Sequence, residues 1–123
     1  MTVKVVDASV VAALLFVEKE ADQAASFLAD ATLIAPQLLA FEIAIVAVTK
    51  IRRAPLERVS IETGLNRFAG LNIGLMRVDE PAVVELAMRK SLSAYDAAYL
   101  WLSMTTGAEL VTFDRRLQAS SAP

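Results

Sequence analysis

The chain has 123 residues, which is enough for one domain with a hydrophobic core of its own. It contains no cysteine and no histidine, so disulfides, thiolate or imidazole metal ligands and the usual general base are excluded. The net charge of −2 provides no bulk positive charge for nucleic acid, and chemistry near neutral pH must use carboxylates, hydroxyls, lysine, tyrosine or an oxygen-bound metal.

Strands and helices alternate along the whole sequence. Thr2–Val6 is a β-branched run that predicts a strand with Asp7 at its end, and Ser9 suits the N-cap of a helix over 10–18. The later predicted elements are a helix over 20–30, a strand over 32–35, a helix opened by Pro36 and ending at Arg53, a helix from Pro55 to near Gly70, a strand over 73–78, a helix over 80–90, a helix between Ser93 and Gly107, and a strand over 109–113. This order predicts a three-layer α/β/α sandwich with a central parallel sheet of about four strands. We expect a single domain over 1–123, with 119–123 as a frayed tail.

The longest apolar stretch, residues 31–49, could suggest a membrane span. It carries Pro36, Gln37 and Glu42, and a carboxylate in mid-span costs about 2.5–3.5 kcal/mol on insertion scales. The N-terminal apolar run contains Asp7 and has no clear signal-peptide cleavage site. We therefore predict a cytoplasmic protein without a membrane span. Its surplus apolar residues (56% of the chain are hydrophobic) are expected to cover an interface with a subunit or partner.

Four acids occupy positions that solvent exposure does not readily explain: Asp7, Glu42, Asp96 and Asp114. Asp7 and Asp114 follow strands, whose carboxyl ends gather ligands in α/β proteins. Glu42 interrupts an apolar helix, where a lone carboxylate is costly unless a cation accompanies it. Carboxylates that converge on one site repel one another and need divalent cations between them. Ligation by oxygen alone indicates Mg²⁺ or Mn²⁺. Such ions activate water and stabilise the displacement at a phosphodiester, so the acids predict a metal-dependent nuclease. Taken singly, Asp96 also suits a helix cap and Asp114 a turn.

Four segments carry a family resemblance in matching order: Val5–Ser9, Ala40–Glu42, Ser93–Leu100 and Val111–Leu117. Together they resemble the PIN-domain ribonucleases, particularly the short VapC-type toxins of toxin–antitoxin pairs. The resemblance implies that the four acids form the metal site and catalyse the reaction. It also implies that Ser9 and Thr112 support the acids by hydrogen bonds, although a helix cap and a strand residue explain these two equally. Ile45 departs from the family, which often has Asn there, and many members add a strand after the last acid.

The same resemblance implies an endoribonuclease toxin that cuts RNA, often tRNA, with metal-activated water. It implies a homodimer and a small VapB-type antitoxin that blocks the site. Basic residues that could meet the RNA backbone are Arg52, Arg53, Arg115 and Arg116. Arg115 and Arg116 could equally pair with acids of the protein itself. Arg52 and Arg53 could equally be ordinary basic residues on a solvated helix face.

Two other functions are compatible with the layout. A non-catalytic PIN-like α/β interaction module would keep the acids only as structural relics. A phosphatase that forms an aspartyl-phosphate usually needs a second acid two residues after its nucleophile, and Ser9 occupies that position after Asp7. This substitution weakens the phosphatase interpretation, whereas metal-stimulated RNA cleavage separates a nuclease from an interaction module.

Overall fold

Four parallel strands form the centre of the molecule. The computed structural model describes residues 2–121. The strands are β1 (Thr2–Val6), β2 (Ala31–Pro36), β3 (Gly74–Met76) and β4 (Glu109–Val111). They are arranged in the order β3-β2-β1-β4, and every neighbouring pair is parallel. The predicted parallel sheet is confirmed, and β1, which leads to Asp7, lies inside it between two partners.

Among the described residues, seven helices flank the sheet and complete the predicted α/β sandwich. They are α1 (Ala8–Leu15), α2 (Ala21–Leu28), α3 (Leu38–Arg53), α4 (Arg58–Asn66), α5 (Glu80–Lys90), α6 (Ala94–Thr106) and α7 (Arg115–Ser121). The core is aliphatic, and Val5, Leu39, Ile43, Leu100 and Leu117 are among its fully buried side chains. No helix within residues 2–121 combines the length and the apolar character that crossing a bilayer requires.

Several boundaries differ from the sequence predictions, and a side-chain cap explains one of them. Helix α1 begins at Ala8 because Asp7, rather than Ser9, is its N-cap and accepts from the first-turn amides. Ser93 caps α6 and Gly107 ends it with a φ of 73°, so both predicted ends of that helix are confirmed. The expected frayed tail is wrong for residues 119–121, which continue α7; its buried Leu117 anchors that helix to the core. Ala122 and Pro123 lie outside the described residues.

Proline accounts for two further differences. Pro36 ends β2 instead of opening a helix; it pairs only with β3, since the register with β1 stops at Ile34, so its missing N–H breaks no bond to β1. The single helix predicted from Pro55 is instead a 3₁₀ turn (Pro55–Glu57), then α4, then a second 3₁₀ turn (Ala69–Leu71). These changes leave the strand order and the position of Asp7 unaffected.

Helix α3 has an exposed apolar side, although its apolar sequence predicts a largely buried helix. Leu39 and Ile43 are fully buried, whereas Phe41 is 68% exposed and Ile45 and Val48 are each 45% exposed. These three exposed residues, called the α3 apolar face below, line a shallow hollow of about 310 Å³ together with Arg52. The helical period places Leu39 and Ile43 on one side of α3 and the α3 apolar face on the other. One side of the helix therefore faces the core and the other faces solvent.

Candidate functional site

Asp7 is the most buried acid of the predicted set, and its carboxylate is held by four donors. Its Oδ1 atom accepts the Ser9 hydroxyl at 2.6 Å and the backbone N–H groups of Ser9 and Val10 at 3.1 and 3.3 Å. Its Oδ2 atom accepts the Thr112 hydroxyl. The carboxylate is therefore fixed at the carboxyl end of β1, beside the end of β4.

The two hydroxyl groups that touch Asp7 also hold the turn that follows β4. The Ser9 hydroxyl accepts the backbone N–H of Phe113 at 3.0 Å, and the Thr112 hydroxyl accepts that of Asp114 at 2.9 Å. Asp114 in turn caps α7, since its Oδ1 atom accepts the backbone N–H of Leu117 at 3.0 Å. Both hydroxyls therefore join the start of α1 to the turn that carries Asp114. Ser9 is not the cap of α1, and Thr112 lies just past the end of β4.

Glu42 lies in the second turn of α3 and has one direct side-chain partner among residues 2–121. The Tyr99 hydroxyl donates to its Oε1 atom at 2.6 Å. Burial is the main cause that raises the pKa of Glu42; the Tyr99 hydrogen bond lowers it, and the charges of Asp7 and Asp96 raise it further. The repulsion shows that Glu42 lies within electrostatic range of both aspartates.

Asp96 lies in the first turn of α6, and its backbone N–H donates to the Ser93 hydroxyl at 3.1 Å. Burial raises the pKa of Asp96, the charge of Asp114 raises it further, and the Ser93 hydroxyl and Arg116 lower it. The four predicted acids therefore form an electrostatically connected series from Asp7 through Glu42 and Asp96 to Asp114. None of them forms a salt bridge within residues 2–121.

The raised pKa values make the stability of the metal-free protein depend on pH. Burial raises the pKa of Asp7, Glu42 and Asp96, although hydrogen bonds oppose the shift at Asp7. A carboxyl group with a raised folded-state pKa binds protons more tightly in the folded protein than in the unfolded chain. Its stabilising contribution is therefore complete below the unfolded-state pKa, about 4, and is lost as the pH rises through the folded-state pKa.

We expect the metal-free protein to be more resistant to urea near pH 5.5 than near pH 7.5. The main physical reason is that protonation removes the cost of holding buried carboxylates in their charged form, and it also relieves the repulsion at Glu42 and Asp96. Unfolding curves recorded with a chelator present at both pH values measure the effect, and Glu42→Gln, which lacks one of these charges, should show a smaller difference. A greater stability at pH 7.5 than at pH 5.5 would contradict the prediction.

The donor chemistry of this site suits a hard divalent cation. Within residues 2–121, no three acidic side chains are grouped closely enough to enclose an ion by themselves. Mg²⁺ does not require such a cage, because it usually keeps several water ligands and binds through one or two carboxylates. The acids supply only oxygen and repel their neighbours in the set, and within the described residues 2–121 no lysine or arginine is in ion-pair contact with them. A divalent ion would offset the charge that the protein leaves unpaired.

Comparison with known proteins assigns the fold to a family. The sequence model of the PIN domain matches residues 4–121, nearly the whole chain. The chain belongs to the PIN domain family. The crystal structure of PAE2754 from Pyrobaculum aerophilum is similar, with a TM-score of 0.78 and 21% sequence identity, and the match covers 98% of this chain and 80% of that chain. At this identity the likeness supports the fold alone. The comparison with curated proteins found no match.

The basic residues of this PIN domain are distributed unevenly around the acids. Arg116 is close enough to Asp96 to lower its pKa, and its guanidinium donates to the Ser91 carbonyl. Arg115 is exposed at the start of α7, directly after Asp114. Arg52 and Arg53 are exposed at the last turn of α3. The rise of a helix, about 1.5 Å per residue, places that turn on the order of 15 Å from Glu42. Only the α7 pair is therefore adjacent to the acids.

One residue that contacts the acids, Tyr99, is absent from the set predicted by sequence. It lies one helical turn after Asp96 on α6, is 1% exposed, and reaches Glu42 across 57 residues of sequence. The only signal in the sequence that could have indicated Tyr99 is its spacing of three residues from Asp96. Side chains at this spacing are neighbours on the same side of a helix. Ile45, the departure from the family, is 45% exposed and lies beside Glu42 and Tyr95 in a small hollow.

Proposed function

We propose that this PIN domain is a metal-dependent endoribonuclease that uses Mg²⁺ or Mn²⁺. The observation that carries the proposal is that the partly buried Glu42 is repelled by the charges of both Asp7 and Asp96, while none of the three forms an ion pair in the part of the chain that the structure describes. Carboxylates in such surroundings cost stability unless a cation joins them. Membership of the PIN family, whose members are generally nucleases, supports the same conclusion.

Asp7, Glu42, Asp96 and Asp114 would hold the metal and form the catalytic set. Ser9 and Thr112 position Asp7, because their hydroxyls donate to its two oxygens. A bound Mg²⁺ or Mn²⁺ would lower the pKa of water and polarise the phosphodiester, which dispenses with the histidine that this chain lacks. The network of Ser9 and Thr112 keeps the acids oriented before substrate arrives, so little rearrangement is needed on binding.

RNA would reach the acids past the basic residues of α7. Arg115 and Arg116 are exposed next to Asp114, and neither forms a salt bridge within residues 2–121. Arg52 and Arg53, at the end of α3, would meet the backbone farther from the cleaved bond. Such contacts position the substrate without reading its sequence.

We further propose a VapC-type toxin, acting in the cytoplasm as a homodimer on RNA that includes tRNA and neutralised by a VapB-type antitoxin. The α3 apolar face supports an interface of this kind, because Phe41, Ile45 and Val48 remain exposed on one side of a single helix. Coexpression of an antitoxin should relieve any growth arrest that the protein causes. Light scattering of the purified chain measures its oligomeric state.

The direct test is cleavage of RNA by the purified protein. We expect Mg²⁺ or Mn²⁺ to support internal cuts that leave 5′-phosphate and 3′-hydroxyl ends, and a chelator to abolish them. Incubation of labelled total tRNA, with end-group analysis of the fragments, measures both properties, and single-stranded DNA of similar length is the matched control. Cleavage that persists unchanged in excess chelator would refute the metal-dependent mechanism.

A further inference from the structure

The hydroxyl of Tyr99 lies deep in the protein but points at a functional carboxylate. The side chain is 1% exposed, and its neighbours Ala98 and Leu100 on α6 are equally buried. Its hydroxyl donates to Glu42 Oε1 at 2.6 Å. A phenylalanine would fill the same apolar surroundings without a polar atom, so packing alone does not explain the hydroxyl.

This hydrogen bond makes the two oxygens of Glu42 unequal. Oε1 accepts from the phenol, whereas no hydrogen bond to Oε2 occurs within residues 2–121. The Tyr99 ring is enclosed by the core and has few rotatable bonds, so it cannot follow a movement of the carboxylate. Rotation of the Glu42 carboxylate would break the bond and leave a buried phenol without its acceptor, which is costly. Oε1 therefore has one of its lone pairs taken by the phenol, and Oε2 is the oxygen with both lone pairs available to a ligand.

The way a carboxylate is held affects which divalent ion it binds. Ca²⁺ readily accepts both oxygens of one carboxylate in a flexible shell, whereas Mg²⁺ demands a near-octahedral shell in which carboxylates usually give one oxygen. A carboxylate held in one orientation by a hydrogen bond to one of its oxygens is less able to give both oxygens to a single ion, so it suits Mg²⁺ better than Ca²⁺.

We propose that Tyr99 is a positioning residue that presents Glu42 to the metal through Oε2 and thereby favours Mg²⁺ over Ca²⁺. This inference rests on the proposed function, because it takes Glu42 as a metal ligand. It adds a determinant of metal selectivity that lies outside the acidic set, on the same helix as Asp96 and about one turn after it.

The test is direct binding of metal ions to the full chain in the absence of RNA. Calorimetric titration of Tyr99→Phe with Mg²⁺ and with Ca²⁺ should show a loss of Mg²⁺ affinity of about 10-fold, as is typical when a partner of a metal ligand is removed. Ca²⁺ affinity should change less, so that the ratio of the two affinities shifts toward Ca²⁺. The matched control is Thr106→Val, which removes a hydroxyl at the opposite end of α6 from Asp96. The Thr106 hydroxyl donates to the Leu102 carbonyl at 2.7 Å and touches none of the four acids, so this variant should bind both ions as the unsubstituted protein does.

A second variant breaks the same contact from the other side. Glu42→Asp shortens the carboxylate out of reach of the phenol and should shift the ratio in the same direction, which covers the case that Tyr99→Phe does not fold. Thermal unfolding in chelator establishes that each variant is folded. Equal losses for both ions, or no loss, would overturn the inference while leaving the proposed function in place. Absence of Mg²⁺ and Mn²⁺ binding to the unsubstituted protein would overturn the proposed function as well.

Discussion

Replacing Asp7 by Asn should lower the rate of RNA cleavage by roughly 100-fold or more, because the site loses a full negative charge from its most buried acid. Asn keeps an oxygen that can accept the amides of Ser9 and Val10, so the cap of α1 survives. The metal-free variant should be at least as stable as the unsubstituted protein, because a desolvated charge has been removed. Single-turnover cleavage and thermal unfolding in chelator measure the two effects.

Asp96→Asn should behave in the same way, since Asp96 also repels Glu42. The matched control is Asp79→Asn, which changes another helix-capping aspartate that accepts the amide of Ala82 on α5 and has no electrostatic contact with these acids. It should cleave RNA at the normal rate. If Asp7→Asn and Asp96→Asn retained full activity while remaining folded, the catalytic assignment would be wrong.

Replacing Gly64 by Ala should destabilise the protein by about 1–3 kcal/mol, the usual cost of overpacking. A Cβ atom at this position would lie 2.4 Å from the carbonyl oxygen of Leu15 and 3.1 Å from Cδ1 of Phe16. The first of these atoms belongs to the backbone at the end of α1, so relief of the clash requires α1 and α4 to separate. The expected sign opposes helix propensity, since Ala normally stabilises a helix relative to Gly. Urea unfolding measures the difference.

Gly70→Ala provides the control for this experiment. A Cβ atom at Gly70 meets no heavy atom within 4 Å, so this substitution should change stability by no more than about 0.5 kcal/mol. Equal stability of the two variants would show that α4 can shift away from α1 without cost, and would contradict the close approach of the two helices.

The sequence predicted the sheet and the position of the acids because both depend on local patterns. Strand–helix alternation dictates a parallel sheet, and the carboxyl ends of its strands meet at one edge, which places Asp7 and Asp114 near each other. The partner of Glu42 could not be predicted in this way. Tyr99 lies 57 residues after Glu42 in the sequence, and its position in α6 predicts an ordinary core residue.

The hydrophobic pattern also could not predict which apolar residues of α3 are buried. Apolar residues on several sides of a helix predict burial on several sides, but they do not say whether the chain itself supplies the cover. Leu39 and Ile43 are covered by the core, whereas Phe41, Ile45 and Val48 are not. The N-cap of α1 was predicted wrongly for a different reason. Asp7 and Ser9 are both good capping residues, and only the fold decides between them.

The hydroxyls of Ser9 and Thr112 have a consequence for how the protein matures during synthesis. They bridge segments that are 104 and 105 residues apart, so the ribosome delivers one side of this junction long before the other. A nascent chain that stops short of Thr112 holds Asp7 without its second hydroxyl partner and without Asp114. The junction around Asp7, and with it the proposed metal site, should therefore be complete only after the residues that follow β4 have left the ribosome.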